Sequence, residues 1–219
     1  MEASSHKSVR IPVEVGRLDG TLTVPPGATG LVLFVHGSGS NHRSPRNNMI
    51  AATLHERGIA TLLFDLLTPV EDSRISNRFN VDLLTERLEL ATDWVRQQPE
   101  LSDVALGYLG ASTGAAAALR AAANRSEQIR AIVSRGGRPD LAGPVVLGQV
   151  KAPTLLLVGG RDTSVLALNR EATGHLTCEK QMRVITGAKH LFEEPGTLEQ
   201  VSTQAADWFS DHLADSASQ

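Results

Sequence analysis

Apolar and polar positions change period several times along the chain, and the changes divide it into elements. From Val9 to Val15 they alternate, and after a turn through Gly16 and Asp19-Gly20 a second run, Thr21 to Val24, ends at Pro25-Pro26-Gly27. That is the pattern of an antiparallel hairpin at a sheet edge. Leu31 to Val35, Ala60 to Phe64, Val104 to Leu109, Ile129 to Val133 and Thr154 to Val158 are instead continuous apolar runs. Such runs predict strands covered on both faces, with a last strand at Gln181 to Ile185. Between them Asn47 to Arg57, Val81 to Gln98, Thr113 to Ala123 and Val165 to Thr173 read as helices, and Leu198 to Leu213 closes the chain. In the longest, Leu84, Leu88, Ala91 and Val95 recur every third or fourth residue, with Asn80 as N-cap and Pro99 past the end. The closing helix repeats this through Leu198, Val201, Ala205, Trp208 and Leu213, so Trp94 and Trp208 read as core anchors. Strands alternating with helices predict the α/β class, a mostly parallel sheet of about eight strands with helices on both faces.

Composition narrows the function. The chain has 219 residues, 41% hydrophobic and 21% charged, which predicts one globular domain over 1–219 with frayed ends at 1–8 and 215–219. Lys+Arg 21 against Asp+Glu 24 leaves a net charge of −3, the wrong sign for a surface that neutralises phosphates, so no nucleic-acid partner is expected. A single cysteine, Cys178, excludes an internal disulfide and gives no zinc motif; neither metal nor cofactor is expected. No stretch approaches the roughly 18 apolar residues of a membrane span, and Met1 to Arg10 has no apolar signal core. The expectation is a cytoplasmic protein acting on a small molecule away from membranes. The pattern does not fix an oligomeric state.

The chemistry gathers at strand ends. Gly110-Ala111-Ser112-Thr113-Gly114 follows a buried strand and opens an alanine-rich helix, the setting in which a G-x-S-x-G serine stands exposed on a strained turn. The alternative is a helix N-cap serine beside packing glycines. A serine nucleophile needs a histidine base and an acid that orients it. Position removes His6, His55, His175 and His212, whereas His190 lies in a loop past the last strand. For the acid, Asp162 follows Thr154 to Val158 through Gly159-Gly160-Arg161; Asp140 is the rival, and Asp65 reads as structural. The order Ser112, Asp162, His190 is the one an α/β-hydrolase requires. Oxyanion donors are expected from the amides of Thr113 and Ser38, with Gly39 as alternative to Ser38 in His36-Gly37-Ser38-Gly39-Ser40. Gly37 and Gly39 also begin a G-x-G-x-x-G pattern, but His42 stands at the third glycine, which argues against nucleotide binding.

These segments, together with His190-Leu191-Phe192-Glu193-Glu194-Pro195-Gly196, resemble the dienelactone hydrolase family of the α/β-hydrolase superfamily from about Val13 to Leu213. The resemblance implies a Ser112/His190/Asp162 triad and cofactor-free cleavage of esters or related acyl bonds. The enzyme that names the family uses cysteine, whereas the elbow here holds Ser112, which makes dienelactone a doubtful substrate. The chain looks closer to serine-bearing members, some of which are fused to a phosphoribosyltransferase domain. The expected function is therefore a serine carboxylesterase for small substrates. The alternatives are an acyltransferase or thioesterase on the same triad, or a binding domain without catalysis.

Arg135 and Arg138, beside Gly136-Gly137, are candidates to bind an anionic substrate group, and Gly37, Gly39, Phe79 and Phe192 to line the site. Only Ser134 to Ala152 separates two strands where a lid would be inserted, too short for a helical cap. An open site follows, with Thr68 to Asn80 as the segment that would serve as cover if one exists.

Overall fold

The computed structural model describes residues 4–214. Its strands are β1 (Ser5–Val13), β2 (Gly16–Val24), β3 (Gly30–Val35), β4 (Ile59–Phe64), β5 (Ala105–Ala111), β6 (Ile129–Arg135), β7 (Thr154–Gly159) and β8 (Lys180–Ile185). They form one sheet in the order β1-β2-β4-β3-β5-β6-β7-β8. β1/β2 and β2/β4 are antiparallel and every later pair is parallel. The hairpin lies at the edge, as the alternating pattern predicts. Strand order reverses about β3, whose neighbours are β4 and β5, and a parallel sheet opens a crevice at the strand ends there.

The helices are α1 (Pro45–Glu56), α2 (Pro69–Asp72), α3 (Val81–Arg96), α4 (Thr113–Asn124), α5 (Pro144–Leu147), α6 (Thr163–His175) and α7 (Thr197–Leu213). On one face Ile50 and Leu54 of α1 and Val201, Trp208 and Phe209 of α7 pack against Val32, Phe34, Ala131 and Val133. On the other, Leu84, Leu88 and Val95 of α3 and the alanines of α4 cover Leu31, Leu33, Leu106 and Tyr108. Helices on both faces are what continuous apolar strands demand, because each face must leave water.

Several bounds depart from the pattern, first among them the hairpin turn, which falls at Glu14-Val15 while Gly16 to Gly20 belong to β2. β1 starts at Ser5, not Val9: Ser5 to Ser8 pair with Val24 to Thr21, so residues 5–8 are ladder rather than frayed end. The frayed end expected at 215–219 falls outside the described residues. β5 and β6 each run two residues beyond their apolar stretch, through the pairs Gly110↔Ser134 and Ala111↔Arg135, because the parallel ladder is made by backbone and needs no apolar side chain. Between β6 and β7 stand a 3₁₀ turn at Pro139–Ala142 and α5, and no cap domain is present among the described residues.

The layer between α3 and β5 holds a buried polar pair. Thr92 Oγ1 donates to the Leu88 carbonyl at 2.8 Å and accepts from the Tyr108 hydroxyl at 2.7 Å. Burial pushes the Tyr108 phenol well above its ordinary value. Thr92→Val leaves that phenol without an acceptor and should cost about 1–3 kcal/mol in urea unfolding, most of which Thr92→Val with Tyr108→Phe recovers. No recovery in the double variant would show that the hydroxyl pair is not the cause.

Candidate active site

The site is built around a crossing with no room for side chains. A Cβ at Gly110 would lie 2.5 Å from Ala115 Cα, and one at Gly114 would lie 2.1 Å from the Val35 carbonyl oxygen. These two glycines let α4 leave β5 while touching the end of β3. Between them Ser112 is held at φ 51, ψ −124, a region L-residues rarely occupy and that costs about 1–3 kcal/mol. Its amide donates to the Arg135 carbonyl at 3.4 Å, and its carbonyl accepts from the Arg138 and Ala115 amides at 3.0 and 3.1 Å. Ser112 is the N-cap of α4 by position, yet its hydroxyl makes no cap hydrogen bond. A capping role therefore does not account for it.

His190 follows β8 and Asp162 follows β7. A Cβ at Gly159 would stand 2.5 Å from the Ala188 carbonyl oxygen, so the two exits pack backbone to backbone, joined by the Arg161 amide on that oxygen at 2.9 Å. This contact brings His190 Nδ1 to Asp162 Oδ2 at 2.7 Å. Asp162 makes no cap bond to α6, which leaves its carboxylate for the imidazole. The other acids are engaged elsewhere. Asp140 accepts Arg138 through both oxygens at 2.9 and 2.7 Å, and Asp65 Oδ1 accepts the His42 amide and lies 2.8 Å from His42 Nδ1. Ser112 and His190 flank the same dipeptide. The Arg135 carbonyl holds the serine amide, and a Cβ at Gly136 would meet the His190 carbonyl oxygen at 3.1 Å and Nδ1 at 3.7 Å.

The loop leaving β3 comes close on the other side, where a Cβ at Gly37 would be 2.9 Å from Ser112 Cβ. Its peptide plane is fixed by His36, a residue with no role in the expected site. His36 Nε2 accepts the Leu66 amide at 3.0 Å, so the neutral ring carries its proton on Nδ1 and donates to the Gly37 carbonyl at 3.0 Å. Burial holds the His36 pKa below its ordinary value, in keeping with a neutral ring. The Ser40 amide also donates to that carbonyl, at 3.2 Å. With the oxygen pinned, the amide of the same peptide, Ser38 N–H, faces the opposite way. Thr113 N–H opens α4, where no carbonyl of the helix can reach it. Nothing local marks His36, because its partner lies thirty residues on.

The remaining expectations separate. Phe192 is 1% exposed, turned in at φ 56 with its ring against Gly136, so it supports the His190 loop and presents no surface to a ligand. Phe79 is exposed. Gly39, at φ 73, borders a cleft of about 300 Å³ lined also by His36, Asp65, Leu67, Asp72 and Arg78. Arg138 is neutralised by Asp140. Arg135 is buried and meets no acid among the described residues. No group of three or more His, Cys, Asp or Glu side chains suited to a metal occurs among them, and none of their helices is long and apolar enough to cross a membrane.

Because the strain at Ser112 is removed by losing Cβ, Ser112→Gly should be more stable than Ser112→Ala by about 1 kcal/mol in urea unfolding. A glycine variant no more stable than the alanine one would mean that the turn carries no strain.

Comparison with known proteins agrees with this architecture. A family model described as alpha/beta hydrolase domain matches residues 28–217. The crystal structure of dienelactone hydrolase from Anabaena variabilis ATCC 29413 is 50% identical with a TM-score of 0.92, covering 96% of this chain and 99% of that one. Est1E from Butyrivibrio proteoclasticus shares the fold at 15% identity and a TM-score of 0.80, over 93% of this chain and 98% of its own. Two curated Mycobacterium tuberculosis proteins, from strains CDC 1551 / Oshkosh and H37Rv, carry a provisional phosphoribosyl transferase name. Each is 56% identical over 194 residues, which is 89% of this chain but 44% of theirs, so the chain spans less than half their length. The chain belongs to the α/β-hydrolase domain family, as a dienelactone hydrolase-like member.

Proposed function

We propose that the protein is a serine esterase for small carboxylic esters, with Ser112 as nucleophile, His190 as base and Asp162 as the acid that orients it. The observation that carries this reading is the 2.7 Å contact of Asp162 with His190 Nδ1 at the edge where Ser112 is held in a strained turn without a capping bond. A carboxylate on Nδ1 fixes the tautomer, leaving Nε2 to take the serine proton and stabilising the imidazolium that results. Ser112 Oγ adds to the acyl carbon, and the oxygen that gains charge is held by the amides of Ser38 and Thr113. His190 returns the proton to the departing alcohol, then draws one from the water that cleaves the acyl-enzyme. The elbow serine is the only nucleophile this scheme needs. Cys178 is partly buried and its thiol pKa is raised by burial. The phosphoribosyl transferase name belongs to proteins about twice as long, of which this chain matches 44%.

Ser112→Ala should fold yet lose hydrolysis of 4-nitrophenyl acetate by about three or more orders of magnitude and escape labelling by a fluorophosphonate. Asp162→Asn should lower kcat on the order of 10³ to 10⁴-fold, and Asp140→Asn far less. Wild-type turnover in Ser112→Ala overturns the mechanism; a reversed order of the two aspartates overturns the acid.

The cleft beside the β3 exit bears on acyl length. Its walls carry Arg17, Asp19, Asp65, Asp72 and Arg78, with Leu67 and Pro69 as the apolar side chains. A methylene gains up to about 0.8 kcal/mol only when it is buried. Efficiency should therefore stop rising after butyrate in a 4-nitrophenyl ester series. A continued rise through octanoate would require an apolar cover and contradict the open site.

A further inference from the structure

A fully buried polar side chain on α6 stands behind the reacting groups. Asn169 is 0% exposed, about two turns into the helix that Asp162 opens. Its Nδ2 donates to the Gly137 carbonyl at 2.9 Å and to the Val165 carbonyl of its own helix at 2.8 Å. Turning the amide over would set its oxygen against both carbonyls, so the two bonds fix its orientation. On its other side Oδ1 is buried without a partner among the described residues. An apolar side chain of similar size would fill this space without that penalty, so packing does not account for an asparagine here. Nor does Val165, whose carbonyl the helix ladder already serves. The Gly137 carbonyl, by contrast, has no other donor among the described residues.

That carbonyl belongs to the peptide between Gly137 and Arg138, and the N–H of the same peptide donates to the Ser112 carbonyl at 3.0 Å. In a planar trans peptide the two groups point opposite ways, so one rigid unit spans from Asn169 to the nucleophile. Its surroundings leave it little freedom. A Cβ at Gly137 would lie 2.0 Å from Ser134 Oγ and 2.6 Å from Ala115 Cβ, which presses the segment between β6 and α4. One residue earlier, the Gly136 amide donates to the Leu157 carbonyl of β7 at 2.8 Å. A Cβ there would meet the His190 carbonyl oxygen at 3.1 Å and the Phe192 ring at 3.3 Å. Residues 136–138 thus back the histidine loop at one end and hold the serine at the other.

We propose that Asn169 is a positioning residue for the nucleophile, acting through the Gly137–Arg138 peptide to hold Ser112 in its strained turn against His190. This rests on the esterase reading and deepens it. The helix whose N-cap is the acid also fixes, from its second turn, the peptide that fixes the serine, so the parts of the site are set against one another by one helix. A strained backbone persists only where its surroundings over-determine it, and this bond is one of those constraints. Releasing it lets Ser112 relax away from the attacking geometry while the sheet stays folded.

The test replaces Asn169 by alanine, the best helix former, and by leucine, which fills the space without a donor and serves if the alanine variant fails to fold. With 4-nitrophenyl acetate, kcat counted per serine labelled by a fluorophosphonate should fall about ten- to hundredfold, with KM changed less than about twofold. Wild-type kcat per labelled serine in either folded variant, or a loss confined to KM, overturns the proposal. Amide exchange read by NMR without substrate tests the same link apart from catalysis. The Arg138 amide should exchange at least about tenfold faster in the variant, while that of Val133 inside β6 keeps its wild-type rate. That result sustains the link between Asn169 and Ser112 even if the wild type cleaves no ester, in which case the esterase reading alone fails. Exchange accelerated equally at both amides, or at neither, overturns the proposal even if esters are hydrolysed.

Discussion

The geometry depends on the clearance where β3, β5 and α4 meet. The carbonyl oxygens of Val35 and His36 lie 2.1 and 2.6 Å from where a Gly114 Cβ would be, so helix and strand cross at backbone contact. The turn between them cannot widen without opening the sheet, and Ser112 absorbs the remaining distance at φ 51. The same closeness brings Gly37 against Ser112, so one steric constraint both strains the serine and sets the β3 exit loop beside it. A rigid scaffold is needed to hold such a conformation, and the ladders on both sides of β5 supply it.

Much of this was legible because topology does the positioning. In a parallel sheet every strand exit lies at one edge, so residues just past strand ends come together whatever their separation in sequence. Ser112, Asp162 and His190 all sit there, and reading the strands amounted to reading the place. Strand cores and helix faces were legible from their periods. Strand ends were not, since Gly110, Ala111, Ser134 and Arg135 extend the ladders by backbone pairing without an apolar signal. The same holds for His6, Lys7 and Ser8 at the outer edge.

The unread part of the site depends on which way a side chain turns. Phe192 looked like a loop aromatic, but a left-handed turn tucks its ring under Gly136. His36 acts through Leu66, whose amide reaches the ring only after β4 has paired with β3. Arg135 and Arg138 looked alike in sequence and differ by surroundings: Asp140 is two residues from Arg138, while Arg135 is enclosed between β6 and α1 with Asn47.

Charge is distributed unevenly across this edge, and the unevenness comes from backbone as much as from side chains. Helices that follow parallel strands point their N-termini toward the strand exits, so α1, α4 and α6 bring three positive ends to one place. The acid there, Asp162, is committed to His190. Negative charge that develops beside the start of α4 meets amides already in place, without reorganisation. Beyond β3, on the β4 side of Ser112, the cleft carries Asp19, Asp65 and Asp72 together with Arg17 and Arg78, and Arg78 is paired with Asp72 at 2.8 Å. On the β6 side stands Arg135 without a counter-charge. The acids and cations of that cleft largely offset one another, so the lasting asymmetry of the edge lies in its helix ends and in the buried guanidinium, which no neighbouring carboxylate screens.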